Sequence, residues 1–270
     1  MRQPVYLLFI AVLLSSCSER LYYPDRANVP AFREAHELKA VISGKPQDND
    51  IGPAISPAAD IAYAPINHLG IIASYRTIMD RDAYLYPLFD KPDNYSYNNT
   101  AVNINGHRIE GGAGYFTGFG RLGIFEAYGG YGNGVVDGTG KFISRYNRFY
   151  LQPEAGIRNK IITVMGGIRV AMEKFYSFQS ADPTLLSEIN SERYGPNVNL
   201  TAQHFFFVEP FINFEVGYKY VAFNMQLGFS AQVDGNPAIT GDFPVYASFG
   251  AVFHFAPSFL HDEKKKRHLL

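Results

Sequence analysis

Asp60, Glu110, Glu126, Glu154, Glu173, Glu209 and Glu215, with Arg76, Arg108, Arg148, Arg158 and Arg169, share one property. Each falls on the polar side of a segment in which polar and apolar residues alternate. Successive side chains on a strand point to opposite faces, so these charges gather on one face. Buried charges must be paired or hydrated. Two kinds of chemistry are open to them. Carboxylates in a cavity can act as general acid and base, or arginines and carboxylates can cross-link an enclosed interior and close it. The near balance of the two signs favours the closed interior.

Other candidates carry less. His36, His68, His107, His204, His254, His261 and His268 are scattered, with no metal-ligand spacing. His68 beside Asn67 suits hydrogen bonding in a turn. Asp80, Asp82, Ser177 and Asp182 fall near the ends of alternating segments, where a rim-active enzyme would place its groups, but no pairing can be read among them. "DGTGK" at 137–141 fails as a phosphate loop: the glycine spacing is wrong, and Phe142 stands where Ser or Thr is needed. "DND" at 48–50 and "DRD" at 80–82 read as solvated loop acids, with a divalent ion at a lipopolysaccharide surface as the sharper alternative. Enzymatic activity is the lesser expectation.

The elements that must position the charges are long. In "KIITVMGGIRVAMEKFY" the residues Ile162, Val164, Ile168, Val170 and Met172 oppose Thr163, Arg169, Ala171 and Glu173. "SRYNRFYLQPEAGIR" and "KYVAFNMQLGFSAQV" behave alike. Period two predicts strands near 37–44, 55–64, 68–79, 105–118, 122–134, 144–158, 160–175, 203–217, 219–233 and 245–256. An ordinary strand has about five or six residues; these are longer and apolar along one whole face, as in a membrane barrel. The connections alternate. "PIN", "FGRL", "NK" and "YK" are short, whereas "GKPQDNDIGPAI", "DRDAYLYPLFDKPDNYSYNNTAVNI", "VVDGTGKFI", "SFQSADPTLLSEINSERYGPNVNLTA" and "DGNPAITGDFP" are long. Short periplasmic turns alternating with longer external loops define an up-and-down transmembrane barrel. The expectation is an all-β, antiparallel barrel of about ten strands, with eight or twelve also open, and a closed polar lumen. An even strand count puts both ends of the barrel on one side, and a lipid on Cys17 in the periplasmic leaflet would make that side periplasmic.

Composition agrees. The chain is 47% hydrophobic, 18% charged and 15% aromatic, with 19 Tyr, 22 Phe, 25 Gly and no Trp. That mixture favours strands, and a net charge of -1 argues against nucleic acid as a partner. The tail "HDEKKKRHLL" is charged and reads as disordered, with an envelope partner or anionic polymer as the alternative.

Cys17 is the single cysteine, so no internal disulfide can form. Before it stand Arg2, an apolar run from Val5 to Leu14, then Ser15 and Ser16, the layout of a secretory signal peptide too short to remain in a bilayer. Leu14-Ser15-Ser16-Cys17 resembles the lipobox of bacterial lipoproteins. That resemblance implies cleavage before Cys17 and its acylation with fatty chains such as palmitate. More than one chain would anchor stably. Ser18 after the cysteine resembles the pattern that Gram-negative cells pass to the outer membrane.

"YYPDRANVPAFREAHELKA" followed by "DIAYAPINHLGIIASY", with Ala62, Tyr63, Asn67 and His68, resembles the N-terminal part of outer-membrane β-barrel lipoproteins of Bacteroidetes. The resemblance implies architecture and location and transfers no activity. "CSERLYY" lacks the acidic run that accompanies surface export in such lipoproteins, which implies an anchor on the periplasmic side. The expected organisation is a signal peptide at 1–16, a lipidated tether at 17–36, a barrel at 37–257 and a charged tail at 258–270. The only expected prosthesis is the lipid on Cys17, with no metal. Expected partners are outer-membrane lipid, lipopolysaccharide and other envelope proteins. A structural or interaction role leads; a rim-active hydrolase of lipid or peptide and a narrow pore or exporter are the alternatives.

Overall fold

A computed structural model of the chain describes residues 22–47, 54–83, 102–140, 142–180, 200–234 and 245–259. The strands are β1 (Leu38–Gln47), β2 (Ala54–Ile66), β3 (Leu69–Ala83), β4 (Val102–Phe119), β5 (Gly123–Gly138), β6 (Phe142–Arg158), β7 (Ile162–Ser180), β8 (Phe205–Tyr218), β9 (Val221–Phe229), β10 (Ala231–Gln232) and β11 (Val245–Phe255). β9 and β10 form one stave interrupted at Ser230, and both lie against β8. Every neighbouring pair is antiparallel. β1 pairs with β11, β11 with β9, and β9 with β8, so the sheet closes into a barrel of ten staves. Closure removes the exposed edge that would otherwise present unpaired backbone groups.

The alternation read from the sequence sets the register. On β6, Ser144, Arg148, Gln152 and Glu154 are buried inside, while Phe149 and Leu151 face outward at 49% and 57% exposure. Ile61, Ile71, Ile109, Phe125, Ile168, Val216, Phe223 and Phe253 extend this outer apolar surface around the barrel. Such a continuous surface is foreign to a water-soluble monomer and suits a hydrocarbon surround. No helix among the described residues is long and apolar enough to cross a membrane, which says nothing of crossing by strands.

One connection departs from expectation. "VVDGTGKFI" is mostly strand: β5 runs to Gly138 and β6 begins at Phe142. The reason is that Val136 and Phe142 continue the inward alternation on their strands and are buried. The described turn residues of this hairpin are Thr139 and Gly140, with Gly140 at a φ of +75° that other residues rarely adopt.

Inside, inward glycines make room for tyrosines on the adjacent strand. Gly130 stands opposite Tyr150, and Gly134 opposite Tyr146. A Cβ at either glycine would collide with the facing ring. Toward the long-loop end, Ile78, Ile104, Val136, Phe142, Phe175 and Phe205 form an apolar layer that caps the polar middle of the lumen.

Candidate functional site

The interior is filled by the chain's own N-terminal segment. Residues 22–32, expected as part of a tether, are buried throughout and run along the barrel axis. Extended backbone carries an unpaired donor and acceptor at nearly every residue, and a buried stretch must have them satisfied. Lumen side chains do this one peptide at a time. Lys45 Nζ donates to the carbonyl of Pro24 at 3.1 Å. Arg76 and Arg169 donate to the carbonyl of Arg26 at 3.2 and 3.4 Å. Gln226 accepts from the Ala27 amide at 2.6 Å and donates to its carbonyl at 3.1 Å. Gln152 donates to the Asn28 carbonyl at 2.7 Å. Lys39 Nζ reaches the carbonyls of Val29 and Pro30 at 2.7 and 3.1 Å. Glu126 accepts the amides of Ala31 and Phe32, both at 2.8 Å.

The segment's side chains reciprocate. Arg26 pairs with Asp60 at 3.1 Å and donates to Asn224 at 2.9 Å. Asn28 donates to the carbonyls of Ile61 and Ala73 at 3.1 and 3.0 Å. Tyr22 stacks on Phe207 with ring centres 3.9 Å apart and lies under the Arg148 guanidinium at 5.6 Å. Where the segment leaves the lumen, Ala31 takes a φ of +58° and His36 one of +63°, turning the chain into β1.

The charges singled out in the sequence divide into groups. Arg108, Glu110, Arg148, Arg169, Glu173 and Glu209 form one cluster: Arg148 bonds Glu173 and Glu209, each at 2.6 Å, and lies 3.2 Å from Glu110. Arg108 lies 3.1 Å from Glu110, and Arg169 is 3.6 Å from Glu110 and 3.9 Å from Glu209. Asp60 and Arg76 bond each other and join Arg26 and Asp25 of the segment. Glu215 pairs with Lys39 at 2.5 Å. Glu126 and Glu154 stand opposite each other on β5 and β6. Arg158 is apart from the rest, at the short-turn rim, bonded to Glu37 and to the Ala31 carbonyl, both at 2.7 Å.

This arrangement answers what the carboxylates can do. The oxygens of Glu126 are occupied by backbone amides of the segment, with Tyr128 Oη 3.2 Å away. Those of Glu110, Glu173 and Glu209 face arginines. They act as acceptors for the fixed internal segment and for cations.

Sequence reasoning missed Asp25, Arg26 and Asn28, which sit in a stretch without periodicity. It also missed Glu37, Lys39 and Asn213, and it placed Gln152, Asn224 and Gln226 on the polar faces of their strands without giving them a role. Most of these occupy inward-parity positions, so the same alternation that marked the arginines was available for them. Glu37 ties the short-turn rim. It accepts the amides of Arg33 and Glu34 at 2.7 and 2.8 Å, and bonds Arg158 and His254, each at 2.7 Å. Burial would raise its pKa, but the His254 hydrogen bond and the Arg158 charge hold it at about 2.

His68 is in the turn after β2 at a φ of +68°; its Nδ1 lies 3.0 Å from the Phe116 carbonyl, and Asn67 accepts the Ala35 amide at 3.0 Å. Ser177 stands opposite Arg145 across β6 and β7. Asp80 and Asp82 are at the long-loop end of β3. Among the described residues no three His, Cys, Asp or Glu gather as metal ligands. Cys17, the signal stretch, "DND", Asp182 and residues 260–270 lie outside the described residues.

No family model matches the chain, and no curated protein matches it. Among solved structures it is similar to OmpTdeltaL8, a loop L8 deletion mutant of OmpT, an outer membrane protein of Vibrio cholerae. Identity is 10%, the match covers 87% of this chain and 70% of that one, and the TM-score is 0.34. The architecture therefore rests on the strand pairing itself. Closed pairing, an apolar exterior and an interior occupied by the N-terminal segment define the class: a self-filled antiparallel β-barrel.

Proposed function

We propose that this chain is an outer-membrane β-barrel lipoprotein of the Bacteroidetes type, anchored through acylated Cys17. Its role is structural or interactive, and it presents its long connections to the outside as a subunit or docking element of the envelope. The observation that carries the reading is the occupied lumen. The segment's backbone is hydrogen-bonded along its length by side chains from β1, β3, β5, β6, β7 and β9, and an apolar layer lies over the polar middle. A barrel built this way supports neither solute flux nor substrate access to its carboxylates. The apolar outer surface supports a membrane setting, and the strand-only crossing supports the outer membrane, where such barrels belong. The sequence places the lipid on the periplasmic side; the course of residues 22–32 argues otherwise.

Planar-bilayer recording of the purified full chain tests the closed barrel. Silence is expected, and stable conductance steps would sink the reading in favour of a pore. Mass measurement of the N-terminal peptide tests the lipid: acyl chains on Cys17 are expected, and an unmodified or absent Cys17 would remove the anchor.

A further inference from the structure

The direction of the lumen segment fixes which mouth of the barrel the chain comes from. Its C-terminal end is at the short-turn rim. Phe32 donates to Glu126, four positions into β5 from the short turn, and Arg33 Nη1 donates to the carbonyl of Arg158, the last residue of β6, at 3.3 Å. Its N-terminal end is at the opposite mouth. Pro24 is held by Lys45, near the long-connection end of β1. Tyr22 stacks on Phe207, near the long-connection end of β8, and its hydroxyl lies 3.3 Å from Ser230, just past β9. Residues 22 to 32 thus traverse the lumen, and extended chain of that length covers about 33 Å, enough for the hydrocarbon thickness.

We infer that the chain preceding Tyr22 leaves the barrel through the long-loop mouth, so that the mature N-terminus is displayed on the outer face of the membrane. Reach decides this. Cys17 is five residues from Tyr22, at most about 18 Å of extended chain. From the level of Phe207 to the short turn at Tyr218, β8 covers about 27 Å along the axis, allowing for a rise of about 3.3 Å per residue and a tilt of about 40°. The intervening lumen is filled. Cys17 cannot return to the short-turn side through it. An acyl group on Cys17 would then meet lipid at the external surface, so the barrel serves as the conduit that carries its own anchor outward. The lipid and the outer face in this inference rest on the proposed outer-membrane lipoprotein reading; the mouth through which the chain leaves rests on the contacts of residues 22–33.

The test uses full-length chains in intact cells, with Arg20→Cys or Leu21→Cys probing the N-terminus. Thr139→Cys reports the long-loop end and Asn159→Cys the short-turn end. A membrane-impermeant maleimide reagent is applied before and after the outer membrane is permeabilised. Either N-terminal probe is expected to label on intact cells together with Thr139→Cys, and Asn159→Cys only after permeabilisation. Failure of both N-terminal probes to label on intact cells, or labelling that follows Asn159→Cys, overturns the inference. Loss of acylation in the mass measurement strikes the anchor alone and leaves this labelling pattern to decide the side.

Discussion

Glu37 joins four partners at one carboxylate: the amides of Arg33 and Glu34, and the side chains of Arg158 and His254. One carboxylate caps the turn that brings the segment out of the lumen and joins the end of β6 to β11, the strand that seals against β1. Its folded pKa of about 2 lies below the ordinary 4.5. Because the folded value is depressed, its contribution is complete above about pH 4.5 and is lost as pH falls toward 2, an effect on the order of 3 kcal/mol. Glu37→Gln should therefore lower the unfolding temperature in detergent at pH 7, and the gap from the unchanged chain should close near pH 2. Melting followed by circular dichroism across that range checks it; an equal gap at both ends of the range would show that the charge is not the cause.

At the scale of elements, the strands were legible and the segment inside them was not. β6, β7 and β9 have one apolar and one polar face, and period two suffices to find them. "VVDGTGKFI" misled because its glycines and aspartate signal a loop, while Val136 and Phe142 go on packing inward. Residues 22–32 escaped for a deeper reason. An internal segment buried on all sides has no two-faced pattern, and its partners, from Lys39 to Gln226, are scattered along the chain. Two prolines and mixed charges then look like a linker. Candidate lumen charges could be picked from parity, but their grouping could not, because the segment threads between them and takes Asp60, Arg76 and Glu126 as its own partners. Deleting residues 22–32 should strip those lumen groups of their partners at about 1 kcal/mol for each hydrogen bond lost. A fall of more than about 10 °C in the temperature at which the barrel loses its heat-modifiable gel migration is expected. An unshifted transition would mean that the segment is a passenger.

For the whole molecule, inside and outside are exchanged relative to a water-soluble domain: arginines and glutamates are buried, and isoleucine and phenylalanine are exposed. Removal of residues 1–17 takes away any signal and anchor but leaves that outer surface intact. The shortened chain should still need detergent or lipid to stay dispersed, and a monodisperse monomer in plain buffer by light scattering would contradict a lipid-facing wall.

The threaded segment also bears on how the molecule is assembled. A segment held along its length inside a closed cylinder cannot be placed there sideways once β1 has paired with β11. Under the proposed acylation of Cys17, with the lipid beyond one mouth and the whole barrel sequence beyond the other, it cannot be withdrawn lengthwise either. The segment must be in position before the seam closes, and from then on its lifetime in the lumen is the lifetime of the seam.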